Sequence, residues 1–197
     1  MKKSILFILV VLLLATTAFA DDNNSRNNIV GSWFGRAIPV DPFCEPGSEG
    51  CPLPAEIIMT PTFFKDGVFM GSDHLTFFTP RTAGHGSWIH TGNMTIEATM
   101  VIIQADDAGN FIGAFRVRFA GEVVSQDLLE GLVNVHFFPF VDGEGNVVLD
   151  PETGHPIPDP LTPLGEFITD SADCSPAMGC LGLYEFSVRR ITPLLDQ

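Results

Sequence analysis

Two histidines, His85 and His90, lie five positions apart on either side of Trp88, within the segment 82–100. Histidine is the commonest metal ligand and serves as a general acid or base near neutral pH. Side chains alternate along a β-strand, so residues five apart point to opposite faces. We therefore expect no shared metal site or catalytic pair. Trp88 should point inward and His85 should lie at a rim, while His90 is either one polar group in an apolar interior or an ordinary solvated histidine.

A third histidine, His136, occurs in the apolar segment "GLVNVHFFPF" on the same side as Asn134 and Phe138. A polar row inside a phenylalanine-rich barrel could orient a ligand carbonyl or transfer a proton. The opposite side of this strand is wholly apolar and makes an equally good inward face. Strand alternation alone favours that second arrangement, in which Asn134 and His136 face solvent.

Other patterns that carry chemistry are missing from the sequence. Asp73 and His74 are adjacent, so they should project oppositely from a strand and form no dyad. There is no GxSxG, HExxH or phosphate-binding glycine loop. The segment 142–146, "DGEGN", places carboxylates at alternate positions but lacks the sixth-position glycine and twelfth-position glutamate of a calcium loop. We predict neither a metal site nor a cofactor.

The N-terminus has the three parts of a secretory signal peptide. Lys2 and Lys3 precede an apolar run over residues 5–14, and "AFA" follows at 18–20. Cleavage is expected after Ala20, and the run is too short for a membrane span, which needs about 20 apolar residues. We predict a secreted or periplasmic protein with no membrane span once the signal peptide is removed.

The predicted mature chain is strongly acidic. Removal of Lys2 and Lys3 leaves eight basic and 24 acidic residues, a formal net charge of −16. Nucleic acids and anionic lipids bind through Lys and Arg, so neither is an expected partner. Nothing in the composition indicates an oligomeric state.

The four cysteines form two short-spaced pairs, Cys44 with Cys51 and Cys174 with Cys180. An even number of cysteines in an exported protein favours disulfides over a zinc site, and no CxxC spacing is present. Pairing within each loop is the simplest of the three connectivities, but a cross-pairing between the two loops remains open.

Short runs of Val, Ile, Phe and Thr between Gly, Pro, Asn and Asp predict an all-β fold. Residues 21–197 should form one antiparallel up-and-down barrel of about eight to nine strands, which removes exposed edges by closure. The segment 122–131 should add a short strand and a loop. Two proline-rich loops, 41–54 and 150–180, carry the cysteines. The predicted strands are Val30–Val40, Ala55–Phe64, Val68–Phe78, His85–Thr91, Met94–Gln104, Asn110–Ala120, Leu132–Phe140 and Leu181–Ile191.

The central hairpin shows which faces are buried. One face of Met94–Gln104 is apolar and consists of Met94, Ile96, Ala98, Met100 and Ile102, and one face of the partner strand consists of Phe111, Phe115, Val117 and Phe119. Arg116 and Arg118 alternate with these phenylalanines. We predict an apolar inner face, with both arginines outside and dispensable.

The first and last strands carry a resemblance. "GSWFG" at Gly31–Gly35 and "YEFSVRRI" at 184–191 resemble the calycin, or lipocalin-like, pattern of a Gly-x-Trp strand and a late arginine. The resemblance implies that Arg189 or Arg190 packs over Trp33, closes the base of the barrel and serves stability. In the middle of the chain, the "GSW…TG" hairpin at Gly86–Gly92 is similar to those of allene oxide cyclase-like barrels.

An eight-stranded barrel can be filled by its own side chains or hold one small ligand. Fifteen phenylalanines remain after signal cleavage, against one tyrosine, and such a lining would suit an apolar guest. We expect an exported barrel that binds a small hydrophobic molecule. The alternatives are an allene oxide cyclase-like cyclase or isomerase, and a surface or interaction module without a ligand. The candidate lumen residues are Trp88, His90, Phe115, Phe119, His136 and Phe138.

Overall fold

The computed structural model describes most of the predicted domain. The predicted signal peptide, the "DGEGN" segment and much of the second proline-rich loop lie outside the described residues. Those described are 29–42, 44–46, 51, 54–77, 80–140, 166–174 and 179–192.

The described residues form nine β-strands and two single-turn 3-10 helices, the latter at His74–Phe77 and Ser171–Asp173. The strands are β1 (Gly31–Pro39), β2 (Ile57–Met59), β3 (Thr62–Phe63), β4 (Val68–Gly71), β5 (Gly84–His90), β6 (Thr95–Ala105), β7 (Phe111–Ser125), β8 (Leu128–Pro139) and β9 (Cys180–Arg190).

All pairings are antiparallel, and β9 returns to pair with β1. The short strands β2 and β3 share the other edge of β1, where β3 meets Gly31 and Ser32 and β2 meets the stretch from Gly35 to Ala37. The result is a closed eight-stranded antiparallel barrel with one extra strand, which confirms the predicted fold class.

The predicted strand Ala55–Phe64 is interrupted at Thr60 and Pro61. Pro61 has no backbone N–H for a ladder bond, and its carbonyl accepts a hydrogen bond from the Trp33 N–H at 2.8 Å. The break leaves two short strands in place of one.

The predicted strand Val68–Phe78 is also too long, because β4 ends at Gly71. The Asp73 carboxylate accepts a hydrogen bond from the Leu75 N–H at 2.9 Å and starts a 3-10 turn. The His74 Nδ1 accepts one from the Ile58 N–H at 3.0 Å. These local bonds replace the sheet ladder.

The segment 122–131 forms no separate strand and loop, contrary to the prediction. It completes β7, turns at Gln126 and Asp127, and begins β8. The two strands pair from Gly113 with Pro139 to Ser125 with Leu128, so this hairpin is longer than expected.

The central hairpin buries the predicted face. The even-numbered positions of β6 from Ile96 to Ile102 are buried, as is Phe119 in β7. Phe111 departs from this pattern, because its side chain is 62% exposed. It pairs with Ala105 beyond a register shift, where the alternation no longer continues.

Both disulfides close locally, Cys44 with Cys51 and Cys174 with Cys180. This settles the connectivity that the sequence left open. Such bonds indicate an oxidising environment. The second disulfide ties residue 174 to the first residue of β9.

One end of the barrel is closed by Trp33 and Arg190. The Arg190 guanidinium lies 4.4 Å from the centroid of the buried Trp33 ring. It also donates hydrogen bonds to the Val30 carbonyl at 2.7 Å and the Gln126 carbonyl at 3.0 Å. Arg189, the other candidate from the sequence, is exposed and pairs with Phe34 across the β1–β9 ladder.

We predict that Arg190→Met lowers the free energy of unfolding by about 2–4 kcal/mol, since it removes charged hydrogen bonds and a cation–π contact. The matched variant Arg189→Met should change it by less than about 0.5 kcal/mol because that side chain is exposed. Urea denaturation of both variants measures the difference. Equal losses would contradict the assignment of Arg190 as the residue that closes the barrel.

Candidate ligand-binding cavity

A cavity of about 110 Å³ lies inside the barrel. It occupies the half of the interior away from Trp33, since Tyr184 lines it and lies six residues before Arg190, about 20 Å along an extended strand. Most of the lining is apolar, and it consists of Pro54, Ile57, Met59, Pro61, Gly71, Ser72, Asp73, Leu75, Arg81, Met100, Ile102, Phe115, Val117, Phe119, Val133, Val135, Leu181 and Tyr184.

Two of the described lining residues are charged. Arg81 Nη1 is 3.7 Å from Asp73 Oδ2, and the side chains are 9% and 12% exposed. Single β-bridges position both residues, since Asp73 pairs with Met59 and Arg81 with Gln104. Burial lowers the pKa of Arg81 and the Asp73 carboxylate opposes this effect. Removing one partner of such a pair would leave a buried charge uncompensated.

The Arg81 guanidinium also lies 5.1 Å from the centroid of the Phe115 ring. This cation–π contact joins the ion pair to the aromatic part of the cavity wall. The charged end of the cavity is therefore held from two sides, by Asp73 and by β7.

Tyr184 is the only tyrosine of the chain and is almost fully buried. No hydrogen bond to its hydroxyl is found within the part of the chain that the structure describes. Burial raises its pKa to about 12. The phenol therefore stays protonated at neutral pH and can donate or accept one hydrogen bond.

Three polar residues of the cavity, Asp73, Arg81 and Tyr184, were not predicted as site residues from the sequence. Asp73 was considered only with its neighbour His74, Arg81 was not considered, and Tyr184 was quoted without a role. The inward position of Tyr184 follows from alternation, because Phe186 and Val188 are also buried. The ion pair has no such signal, since its residues lie on either side of an irregular segment.

The predicted lumen residues are divided between different environments. Phe115 and Phe119 line the cavity. Trp88 is buried in the packed interior, where its indole N–H donates to the Phe64 carbonyl at 2.8 Å. The His90 ring lies 5.1 Å from that of Trp88, away from the cavity.

His85 is exposed on the other face of β5. The structure therefore does not bring His85 and His90 together.

His136 and Phe138 lie on the outer face of the barrel, outside the lumen. His136 pairs with Arg116 and Phe138 pairs with Ala114, two positions of β7 that face outward. His136 is nevertheless only 4% exposed. Neither arrangement considered from the sequence, lumen or solvent, describes this site.

Residues 166–174, which we call the outer strap, cover this face. The Asn134 side-chain amide donates to the Ile168 carbonyl and accepts from the Ile168 N–H, both at 2.9 Å. Arg118 Nη1 donates to the Glu166 carbonyl at 3.0 Å, and its guanidinium lies 5.4 Å from the Phe167 ring centroid. Arg118 is outside, as predicted, but it anchors the strap, so we no longer expect it to be dispensable.

His136 is a buried base among positive charges. Burial lowers its pKa, and the nearby charges of Arg118 and Arg116 lower it further. Protonation of His136 would therefore add a third positive charge to those of Arg116 and Arg118.

Searches against protein families, curated proteins and solved structures found no match to this chain. Among the described residues, no group of three or more His, Cys, Asp or Glu side chains could hold a metal ion. None of the helices in this part of the chain is long and apolar enough to cross a membrane. The site is thus defined by its own geometry, as a mainly apolar cavity with one ion pair and one phenol.

We predict that the phenol of Tyr184 titrates at about pH 12, compared with about 10 after unfolding in guanidinium chloride. Folding favours the neutral phenol, so this stabilisation is complete below about pH 10 and up to about 2–3 kcal/mol is lost as the pH rises through 12. Near-ultraviolet phenolate absorbance follows this single tyrosine directly. Identical midpoints in the folded and unfolded chain would contradict its burial.

We also predict that His136 makes stability fall between about pH 7.5 and 5.5, because an unfolded histidine gains a proton near 6.5 while buried His136 resists it. His136→Gln should reduce this dependence, since glutamine does not titrate. His85→Gln, at an exposed position, should retain the wild-type dependence. Melting temperatures over this pH range provide the measurement, and equal pH profiles for wild type and His136→Gln would contradict the prediction.

Proposed function

We propose that this protein is an exported, calycin-type barrel that binds a small hydrophobic molecule in its lumen. The observation that carries the proposal is the interior cavity, whose lining is largely aliphatic and aromatic. Ligand sites typically combine such walls with a few polar groups, and here these include Asp73, Arg81 and Tyr184. The two disulfides and the signal-like N-terminus agree with export.

The volume limits the size of the ligand. A cavity of about 110 Å³ is smaller than the roughly 300–1,000 Å³ of pockets for drug-sized molecules. It is closer to an engineered apolar cavity of about 150 Å³ that binds benzene. We therefore expect a ligand no larger than a molecule with a single ring or a short branched chain.

Binding is favoured over the cyclase or isomerase alternative by the character of the polar groups. A general acid or base works best when its pKa lies near the operating pH, whereas the pKa of Tyr184 is raised to about 12. His136, the histidine considered for proton transfer, lies on the outer face of the barrel and outside the lumen. Binding without turnover requires only the apolar lining and its few polar groups, which the cavity has.

The cavity also distinguishes this proposal from a ligand-free interaction module. The other half of the interior is filled by packed aromatic rings, including Phe63, Phe69 and Trp88, with centroids 4.8 and 5.7 Å apart. A barrel that served only as a scaffold could be filled in the same way throughout.

We predict that toluene binds in the cavity and shifts the methyl signals of Met59 and Met100, which line it, in spectra of protein labelled with carbon-13 at methionine methyls. Met94 lies outside the cavity lining and should not shift. Toluene is close to the expected ligand size. The shifts of the two methyl signals should saturate on titration, because toluene occupies a defined cavity.

Val135→Phe should abolish the toluene-dependent shifts, because the added ring fills the lumen. Its matched control, Val124→Phe, adds the same ring at an exposed position of β7 and should bind like the wild type. Unchanged Met59 and Met100 signals in wild-type protein saturated with toluene would overturn the proposed function.

A further inference from the structure

The charges of the cavity lining cancel each other. Asp73 and Arg81 form one ion pair, and the phenol of Tyr184 is neutral at neutral pH, as tyrosine ordinarily is. Both members of the pair are almost buried, so bulk water screens them weakly. The described residues of the lining therefore carry no net formal charge at neutral pH.

A charged ligand would disturb this balance. A carboxylate attracted by Arg81 would also be repelled by Asp73, and it would lose its hydration in an apolar cavity. An ammonium group would be attracted by Asp73 and repelled by Arg81. The formal net charge of −14 for the whole chain further disfavours the approach of anions.

A neutral ligand with one oxygen would instead gain a contact. The Tyr184 hydroxyl belongs to a residue that is 2% exposed, and no hydrogen bond to it is found among the described residues. Tyr184 lines the cavity, and the hydroxyls of largely buried tyrosines usually find a hydrogen-bond partner. A carbonyl or hydroxyl oxygen on the ligand would supply that partner.

We propose that the cavity selects uncharged, mainly apolar molecules that carry a single hydrogen-bonding oxygen, such as a small alcohol, aldehyde or ketone. In this arrangement Tyr184 binds the oxygen, and the Asp73–Arg81 pair excludes carboxylates and amines. The inference rests on the proposed function, because it concerns the ligand class of the same cavity.

Four probes of similar size test the selectivity at neutral pH: toluene, benzaldehyde, benzoate and benzylamine. Binding constants come from the methyl signals of Met59 and Met100. We expect benzaldehyde to bind about fivefold more tightly than toluene, the effect of one net hydrogen bond. Benzoate and benzylamine should bind at least about tenfold more weakly than benzaldehyde because of their desolvation.

Two variants assign the effect to individual side chains. Tyr184→Phe should remove the preference for benzaldehyde over toluene while leaving toluene affinity within about twofold. Asp73→Asn removes the carboxylate that repels benzoate and keeps the charge of Arg81, so it should strengthen benzoate binding about tenfold or more. Asp107→Asn makes the same change at an exposed turn position and should leave all four affinities unchanged.

The outcomes separate the two proposals. Failure of every probe to bind would overturn the proposed function itself. Toluene and benzaldehyde of equal affinity, or benzoate tighter than benzaldehyde, would leave a hydrophobic binding site but overturn the selectivity. If Asp73→Asn does not fold, the wild-type ranking together with Tyr184→Phe decides the inference.

Discussion

The pairing of β1 with β9 is the constraint on which the rest of this molecule depends. It joins segments from opposite ends of the described chain through seven residue pairs, from Trp33 with Arg190 to Pro39 with Tyr184. Without it the strands would form an open sheet with two unpaired edges. Closure gives each strand an inner and an outer face, and it brings β9 beside β1 so that Tyr184 can face the lumen.

The interior is divided into a packed half and an open half. Large rings fill the first, where Phe119 joins Phe69 at 5.1 Å and Phe186 at 5.8 Å. Val117, Val133 and other smaller aliphatic side chains line much of the second. Since packed cores leave few voids larger than a water molecule, the change from rings to smaller aliphatic side chains along the barrel axis accounts for the cavity.

The alternation of side chains along a β-strand correctly predicted the strands that have one face buried and the other exposed. The burial of β6, the inward direction of Phe119 and the outward direction of Arg118 follow from that rule. It failed at Asn134 and His136 because β8 is covered on both sides, and a covering loop contributed by residues far along the chain leaves no periodic signal. The Asp73–Arg81 pair was unpredictable for a related reason, since a 3-10 turn between the two residues breaks any regular spacing.

Strand β8, which is covered on both faces, connects the outer strap to the cavity. Val133 and Val135 face the lumen, while the intervening Asn134 binds the backbone of Ile168 through two hydrogen bonds. The same stretch of β8 is thus fixed from outside at the point where it forms the cavity wall. A wall held in one position needs little ordering when a ligand enters, and lower ordering costs improve affinity. The disulfide and Arg118 hold the strap from either end, so the wall of the proposed ligand site is fixed by contacts made outside the lumen.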